Sequence, residues 1–184
     1  ADVSFQRCLD DSARAGYAGI ELGHKFPRDP ASLKRALAER ELSLISAWHG
    51  LRLLERSWSE ELRQIDPLVE ILEHNEARLL VVAEVTGSIH RNRYAPLSRR
   101  PVLHPHGLER FGESLGLLTE RLTERGVQVA FHPHMGTVVQ SRADVDALVA
   151  HTPDALGLTL DTGHAAFAGI DPVQLATDHA SRVV

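Results

Sequence analysis

The chain alternates short apolar segments rich in β-branched residues with longer amphipathic segments, joined by mostly short connections. Five of the apolar segments are predicted to be strands, and a segment with helical periodicity follows each of them. Strands and helices that alternate in this way form a parallel sheet covered by helices. The predicted strands are 19–22, 42–48, 78–84, 127–132 and 156–161, and the predicted helices are 5–15, 30–40, 59–75, 107–125, 143–151 and 172–179. Ser59, before two glutamates, is the predicted N-cap of the helix 59–75.

The predicted parallel sheet fits a barrel better than an open sheet. An open doubly wound sheet usually carries a glycine-rich phosphate loop after an early strand, and this sequence has none. Polar side chains at the ends of several strands favour a (β/α)8 TIM barrel, which needs eight strands in about 250 residues. Only five complete strands are predicted, so we expect residues 1–184 to form one α/β domain, a partial TIM barrel with segments missing at both ends. Val183 and Val184 resemble the start of a further strand.

Composition limits the kind of partner. Lysine and arginine total 20 and aspartate and glutamate total 25, so the net charge is −5. Nucleic acid is therefore not the expected partner, because phosphate binding needs a basic surface. No apolar run is long enough to span a bilayer, so we expect no membrane partner. The single cysteine, Cys8, is interpreted as a core residue of a predicted helix, and one isolated cysteine fits the cytoplasm.

The fourth and fifth predicted strands end in side chains that can bind a metal. His132 and His134 follow the fourth strand, and Asp161 and His164 follow the fifth. The carboxyl ends of parallel barrel strands lie at one face of the barrel, so we expect these four side chains to meet there. The alternative for the histidines is that they are loop residues that contact solvent or backbone carbonyls.

Strand periodicity predicts where His132 points. If Val129 and Phe131 pack under the helices, then His132 faces the barrel interior. Asp161 ends an apolar run, where an unpaired carboxylate is costly unless a cation or hydrogen-bond donors lie nearby. We predict His132 and Asp161 as metal ligands. The alternative for Asp161 is an N-cap or Asx-turn on the residues that follow it.

Other polar residues follow the first three predicted strands. Glu84 ends the third strand and is interpreted as a ligand, a general base or a salt-bridge partner of Arg91 or Arg93. The loop 85–105 is long enough to be a lid, although solvated surface charge is the default interpretation of its arginines. The predicted substrate-binding residues follow the first two strands and are His24, Lys25, Trp48 and His49.

Histidine and carboxylate ligands without thiolates favour a divalent ion such as Mn²⁺, Co²⁺, Zn²⁺ or Mg²⁺. Such an ion can polarise a carbonyl group. We therefore expect a metal-dependent enzyme that acts on a small polar molecule.

Six segments of the sequence together resemble the myo-inosose-2 dehydratases, a branch of the xylose isomerase-like barrels. The resemblance covers nearly the whole chain and implies a (β/α)8 barrel that removes water from 2-keto-myo-inositol (scyllo-inosose). It also implies dependence on Mn²⁺ or Co²⁺, with glutathione as a further possible cofactor. The segments are A-G-Y-A-G-I-E-L-G-H-K-F-P-R-D (15–29), L-L-E-R-S (53–57), V-V-A-E-V-T-G-S-I-H (81–90), P-L-S-R-R-P (96–101), H-M-G-T-V-V-Q (134–140) and L-D-T-G-H-A-A-F-A-G-I-D-P (160–172).

The resemblance also implies a set of metal ligands. Related barrels commonly hold the metal with Glu, Asp, His and Glu at four strand ends. Asp161 matches the aspartate, whereas His132 stands where the first glutamate is expected, and the later histidine and glutamate would lie beyond Val184. The resemblance implies that the last two barrel strands also lie beyond Val184 and that the first strand is absent from residues 1–184.

The expected reaction is elimination of water from a small polyhydroxylated ketone. We predict Glu84 or His134 as the base and His164 as the acid that protonates the departing hydroxyl. A sugar isomerase or epimerase on the same barrel, an abasic-site endonuclease and a non-catalytic binding module are the alternatives. The net charge of −5 argues against the endonuclease. The oligomeric state is left open, and a homo-oligomer is compatible with the sequence.

Overall fold

The computed structural model describes residues 3–184 as a parallel sheet of five strands covered by helices. Each strand pairs with the next strand along the chain, in the order β1-β2-β3-β4-β5. An open doubly wound sheet would reverse its strand order at one point, whereas this sheet winds in one direction as a barrel does. The strands are β1 Gly19–Leu22, β2 Ser43–Leu51, β3 Leu79–Glu84, β4 Gln128–Phe131 and β5 Gly157–Leu158.

The six predicted helices are present, and their ends lie within two residues of the predicted ones. A short helix after β5 was not predicted, and β5 itself ends before the predicted 161 because Asp161 already caps that helix. Leu158 also forms a parallel bridge with Val183, where the sequence predicted the start of a further strand. The helices are α1 Phe5–Arg14, α2 Pro30–Ala38, α3 Trp58–His74, α4 Pro105–Glu124, α5 Arg142–Ala150, α6 Thr162–Phe167 and α7 Pro172–Asp178, and a 3-10 turn spans Leu97–Arg99.

The N-cap of α3 differs from the prediction. Ser57, rather than Ser59, accepts a hydrogen bond from the backbone amide of Glu60, and the Glu60 carboxylate accepts one from the amide of Ser57. This reciprocal pair is a capping box, which pairs two backbone amides that the helix leaves without intrahelical acceptors. Helix α3 therefore begins at Trp58, one residue earlier than predicted.

The hydrophobic core lies between the sheet and the helices. Val82 and Phe131 are both buried, and the Phe131 ring packs at 6.0 Å from the ring of Phe111 in α4. This contact places Phe131 on the helix-facing side of the sheet. Because side chains alternate along a strand, His132 faces the opposite side, the barrel interior, as predicted. Cys8 packs partly buried against the core. Within residues 3–184, the helices are too short or too polar to cross a membrane.

Candidate functional site

The candidate site lies at the carboxyl ends of β4 and β5. The backbone amide of His132 donates to the carbonyl of Val82 over 2.7 Å, so the sheet ladder continues one residue past β4. This bond sets the direction of the His132 ring, whose Nε2 lies 3.5 Å from Oδ2 of Asp161. That Nε2 atom is buried and has no hydrogen-bond partner among the described residues. A buried nitrogen without a partner costs free energy unless a ligand satisfies it.

The two oxygens of Asp161 have different surroundings. Oδ1 accepts a hydrogen bond from the backbone amide of His164 over 2.8 Å, so the alternative interpretation of Asp161 as an N-cap is correct for this oxygen. Oδ2 lies 3.5 Å from Nε2 of His132 and 4.0 Å from Nε2 of His164. The helix cap therefore orients the carboxylate and leaves one oxygen facing the histidines.

Four imidazole rings pack together at this place. The ring centroids lie 4.1 Å apart for His134 and His164, 5.0 Å for His132 and His164, and 5.3 Å for His132 and His134. The fourth ring belongs to His90, whose centroid is 5.2 Å from that of His134. His90, His132, His134 and His164 are called the histidine cluster below. The sequence prediction did not include His90, because its only signal was a histidine in a long loop.

The peptide groups of Met135 set the proton positions of two rings in the cluster. Nδ1 of His134 lies 2.9 Å from the Met135 carbonyl oxygen, which can only accept, so Nδ1 carries the proton. The Met135 amide donates to Nδ1 of His164 over 3.3 Å, so this Nδ1 carries a lone pair. In the neutral rings, His134 therefore keeps a free lone pair on Nε2, and His164 keeps its proton on Nε2.

The pKa shifts at the site favour neutral rings on His90, His132 and His164 and an ionised carboxylate on Asp161. Burial, followed by the nearby histidines, lowers the pKa of His132 to about 4. Burial is also the main cause that lowers the pKa values of His90 and His164. The amide of His164 is the main cause that lowers the pKa of Asp161. Neutral imidazoles and an ionised carboxylate are the forms in which these side chains bind a metal.

These residues fit a divalent ion. One donor atom from each of His132, Asp161 and His164 lies within 4.8 Å of the others. The unpartnered Nε2 of His132 and the Oδ2 of Asp161 are the best placed donors of the three. His164 is a weaker candidate, because its Nδ1 accepts an amide proton and its Nε2 then holds the proton that a metal would have to displace. Nitrogen and oxygen donors without sulfur suit Zn²⁺, Mn²⁺ and Co²⁺.

Glu84 does not reach the histidine cluster. It is fully buried and pairs in register with Leu51, on the same helix-facing side of the sheet as Val82. Its carboxylate accepts from the backbone amides of Leu53 over 2.8 Å and Thr86 over 2.7 Å. Burial raises the pKa of Glu84. These contacts occupy both carboxylate oxygens on the helix-facing side of the sheet, and they argue against the predicted role of Glu84 as a base.

The salt bridge expected between Glu84 and Arg91 or Arg93 is also absent from the described residues. The carboxylate of Glu84 is occupied by the two backbone amides instead. Glu84 therefore joins the end of β3 to the loop that follows β2.

The predicted substrate-binding residues do not all face the same side of the sheet. Nε2 of His49 lies 2.8 Å from Oε1 of the buried Glu61 in α3, so His49 faces the helices. Trp48 is 36% exposed and faces the barrel interior, on the same side of the sheet as His132. His24 and Lys25 are exposed, and Lys25 Nζ donates to a backbone carbonyl in the N-terminal segment. The roles of these four residues in binding substrate stay predictions.

Known proteins resemble this chain over its whole length. The profile of the xylose isomerase-like TIM barrel family matches residues 9–183. The rhizopine catabolism protein MocC of Rhizobium meliloti is 43% identical over 183 residues, which are 100% of this chain and 56% of that protein. An inosose dehydratase of Geobacillus thermodenitrificans is 32% identical over 184 residues, which cover 99% of this chain and 62% of that protein. The chain thus spans about six-tenths of the length of these curated relatives.

A solved structure of the IolI protein with a binding zinc atom has the same fold. Its TM-score is 0.71 at 13% identity, over 98% of this chain and 66% of that protein. At this level of identity the likeness concerns the fold alone.

Proposed function

Because the chain belongs to the xylose isomerase-like TIM barrel family, we propose that it is a divalent-ion-dependent dehydratase. The proposed substrate is a small polyhydroxylated cyclic ketone, 2-keto-myo-inositol (scyllo-inosose), from which one molecule of water is removed. Relatives that carry the name inosose dehydratase at 30–33% identity support the reaction and the substrate. The arrangement of the histidine cluster supports the same chemistry independently.

The observation that carries the proposal is the pair of hydrogen bonds made by the Met135 backbone, which assigns opposite tautomers to His134 and His164. Elimination of water needs a base that removes a proton from carbon and an acid that protonates the departing hydroxyl. Nε2 of His134 carries a lone pair and Nε2 of His164 carries a proton, and the two ring centroids are 4.1 Å apart. Two adjacent imidazoles in opposite states match the two proton transfers of this reaction.

The proton transfers balance with these two rings alone. Nε2 of His134 takes the proton from the carbon next to the ketone, and the electrons of that C–H bond form the new carbon–carbon double bond. The hydroxyl on the adjacent carbon leaves with the electrons of its C–O bond and the proton from Nε2 of His164, so one water is lost. The proton that Nε2 of His134 gained then passes to Nε2 of His164, whose ring centroid is 4.1 Å away, and both rings return to their starting states. The contacts of Glu84 favour His134 over Glu84 as the base.

His132 and Asp161 are the residues proposed to hold a divalent ion. When bound, such an ion supplies polarisation of the ketone oxygen and stabilises negative charge there. The unpartnered Nε2 of His132 and the nearby Oδ2 of Asp161 support a metal, and the resemblance to inosose dehydratases favours Mn²⁺ or Co²⁺.

The test is incubation of the full-length protein with scyllo-inosose and Mn²⁺ or Co²⁺. We expect an increase in the ultraviolet absorbance of the dione product and a product mass lower than that of the substrate by one water. The isomerase or epimerase alternative predicts a product of unchanged mass. If the protein shows no turnover with Mn²⁺, Co²⁺, Zn²⁺ or Mg²⁺, the proposed dehydratase activity is ruled out.

A further inference from the structure

Arg100 is a partly buried residue in the last third of the long segment 85–104, which joins β3 to α4. Its side chain is only 15% exposed, although the sequence suggested a solvated surface charge. Nη2 donates to Oδ2 of Asp144 in α5 over 2.9 Å. Nη1 donates to the carbonyl oxygens of Thr137 over 3.1 Å and Val138 over 3.4 Å. Nη1 also donates to the carbonyl of the adjacent Pro101 over 3.3 Å, so the guanidinium binds one charge and three backbone carbonyls.

The backbone that Arg100 holds is the loop 132–141, which carries His134 and Met135. The amide of His134 donates to the carbonyl of Val139 over 3.0 Å, and the hydroxyl of Thr137 donates to the carbonyl of His134 over 2.8 Å. Thr137 thus contacts both the guanidinium and His134. A shift of Thr137 would move the His134 backbone and the Met135 peptide groups with it.

The same segment is attached to this loop at a second point. The amide of Ile89 donates to the carbonyl of Gly136 over 2.9 Å, and the His90 ring then packs on that of His134. Asp144 completes the assembly, because its Oδ2 also accepts the backbone amides of Gln140 and Ser141. The loop is therefore held at several points, and two side chains outside it, Arg100 and Asp144, bond to its backbone.

We infer that Arg100 is a positioning residue, whose guanidinium holds the loop 132–141 so that Met135 sets opposite tautomers on His134 and His164. This inference rests on the proposed dehydratase function. Only a planar guanidinium has several donors in a fixed geometry, so a lysine could keep the ion pair with Asp144 but not the carbonyl bonds as well.

The first test measures kcat and KM for scyllo-inosose in the full-length protein. We expect Arg100→Ala to lower kcat about 10- to 100-fold, because small displacements of reacting groups cost that much, and to change KM less than about 3-fold. Arg100→Lys should fall between Arg100→Ala and the unchanged protein. Millimolar guanidinium should restore part of the kcat of Arg100→Ala.

Two arginines serve as controls. Arg99 is the exposed neighbour of Arg100, and Arg99→Ala should keep the kcat of the unchanged protein. Arg40 is 20% exposed and binds Asp10 and the carbonyl of Ala36, far along the chain from the site. Arg40→Ala should lower the melting temperature without lowering kcat. An equal loss of kcat in Arg40→Ala and Arg100→Ala would overturn the inference, because general destabilisation would then explain both.

The second test does not depend on activity. Nitrogen-15 spectra of the histidine rings in the full-length protein should show the proton on Nδ1 for His134 and on Nε2 for His164. We expect mixed tautomers in Arg100→Ala and Arg100→Lys, and unchanged ones in Arg99→Ala. Unchanged tautomers and kcat in both Arg100 variants would overturn the inference. If the unchanged protein shows the tautomers but does not dehydrate scyllo-inosose, the proposed function fails while the positioning by Arg100 stands.

Discussion

At the scale of single residues, the backbone of Met135 distinguishes two histidines, His134 and His164, that the sequence pattern could not tell apart. Met135 accepts from His134 through its carbonyl and donates to His164 through its amide. Each contact fixes the proton of one ring because a carbonyl cannot donate and an amide N–H cannot accept. The identity of the Met135 side chain plays no part in either bond. The chemical difference between two identical side chains therefore comes from the fold.

Asp161→Asn should separate metal binding from folding. Asparagine caps a helix as well as aspartate does, so the melting temperature should change by only a few degrees. The substitution removes the charged Oδ2 that faces His132, and we expect the affinity for Zn²⁺ and Mn²⁺ to fall at least about 10-fold. Calorimetric titration of both proteins measures this change. Equal affinities would show that Asp161 is a cap and not a ligand.

Glu84→Gln should change how stability depends on pH. Burial raises the pKa of Glu84 in the folded chain, so above about pH 4.3 the unfolded chain releases a proton that the folded chain keeps. The free energy of unfolding contributed by Glu84 is therefore highest below this pH. It falls as pH rises towards the raised pKa of the folded state.

Urea denaturation between pH 4 and pH 7 tests this prediction. The unchanged protein should lose stability relative to Glu84→Gln as pH rises, because glutamine does not titrate. The exposed Glu120 is the matched control, and Glu120→Gln should keep the pH profile of the unchanged protein. Parallel profiles for the unchanged protein and Glu84→Gln would contradict the assigned pKa shift.

At the scale of elements, local sequence signals located the helices but not every helix end. The choice between Ser57 and Ser59 as the cap of α3 depends on backbone dihedral angles, and Ser57 has the extended conformation that a cap needs. The short helix α6 was missed because six residues carry too little periodicity to be recognised. Asp161 was therefore assigned to a strand when it begins a helix.

Ser57→Ala should destabilise the protein by about 1 kcal/mol, because it removes one half of the capping box. Ser59→Ala is the matched control two residues away, and we expect a change within about 0.5 kcal/mol. Chemical denaturation of both variants measures the difference. A larger loss of stability for Ser59→Ala than for Ser57→Ala would instead identify Ser59 as the N-cap of α3.

Gly136→Ala should loosen the attachment of segment 85–104 to the histidine loop. Gly136 has a φ of +76°, and an added Cβ would lie 3.0 Å from the backbone nitrogen of His90. Gly16 is the control, because its φ is +83° and an added Cβ would have nothing within 4 Å. Gly16→Ala therefore measures only the cost of placing a side chain at a positive φ, about 1–2 kcal/mol.

We expect Gly136→Ala to cost more than Gly16→Ala and to increase hydrogen exchange at Ile89, whose amide bonds to Gly136. Denaturation curves and exchange rates measure the two effects. If Gly136→Ala and Gly16→Ala lower the free energy of unfolding equally, segment 85–104 accommodates the added methyl group without further loss of stability.

At the scale of the whole molecule, charge separates the proposed dehydratase from a nuclease on the same barrel. The net charge of −5 gives no overall attraction to polyanions. We predict that the full-length protein neither shifts duplex DNA with an abasic site in an electrophoretic assay nor cleaves it in the presence of Mn²⁺. Salt-sensitive binding of such DNA would favour the endonuclease alternative instead.

The sequence by itself determined the parallel α/β architecture, the family and the interior direction of His132. These follow from strand periodicity, from the alternation of elements and from motifs, all of which are local in the chain. Tertiary structure alone decided that Glu84 faces the helices and that His90 joins the cluster. It also decided that Arg100 holds the histidine loop and that His134 and His164 carry opposite tautomers. These features depend on contacts between segments far apart in sequence, whose distances and hydrogen bonds exist only once the sheet has brought the strand ends together.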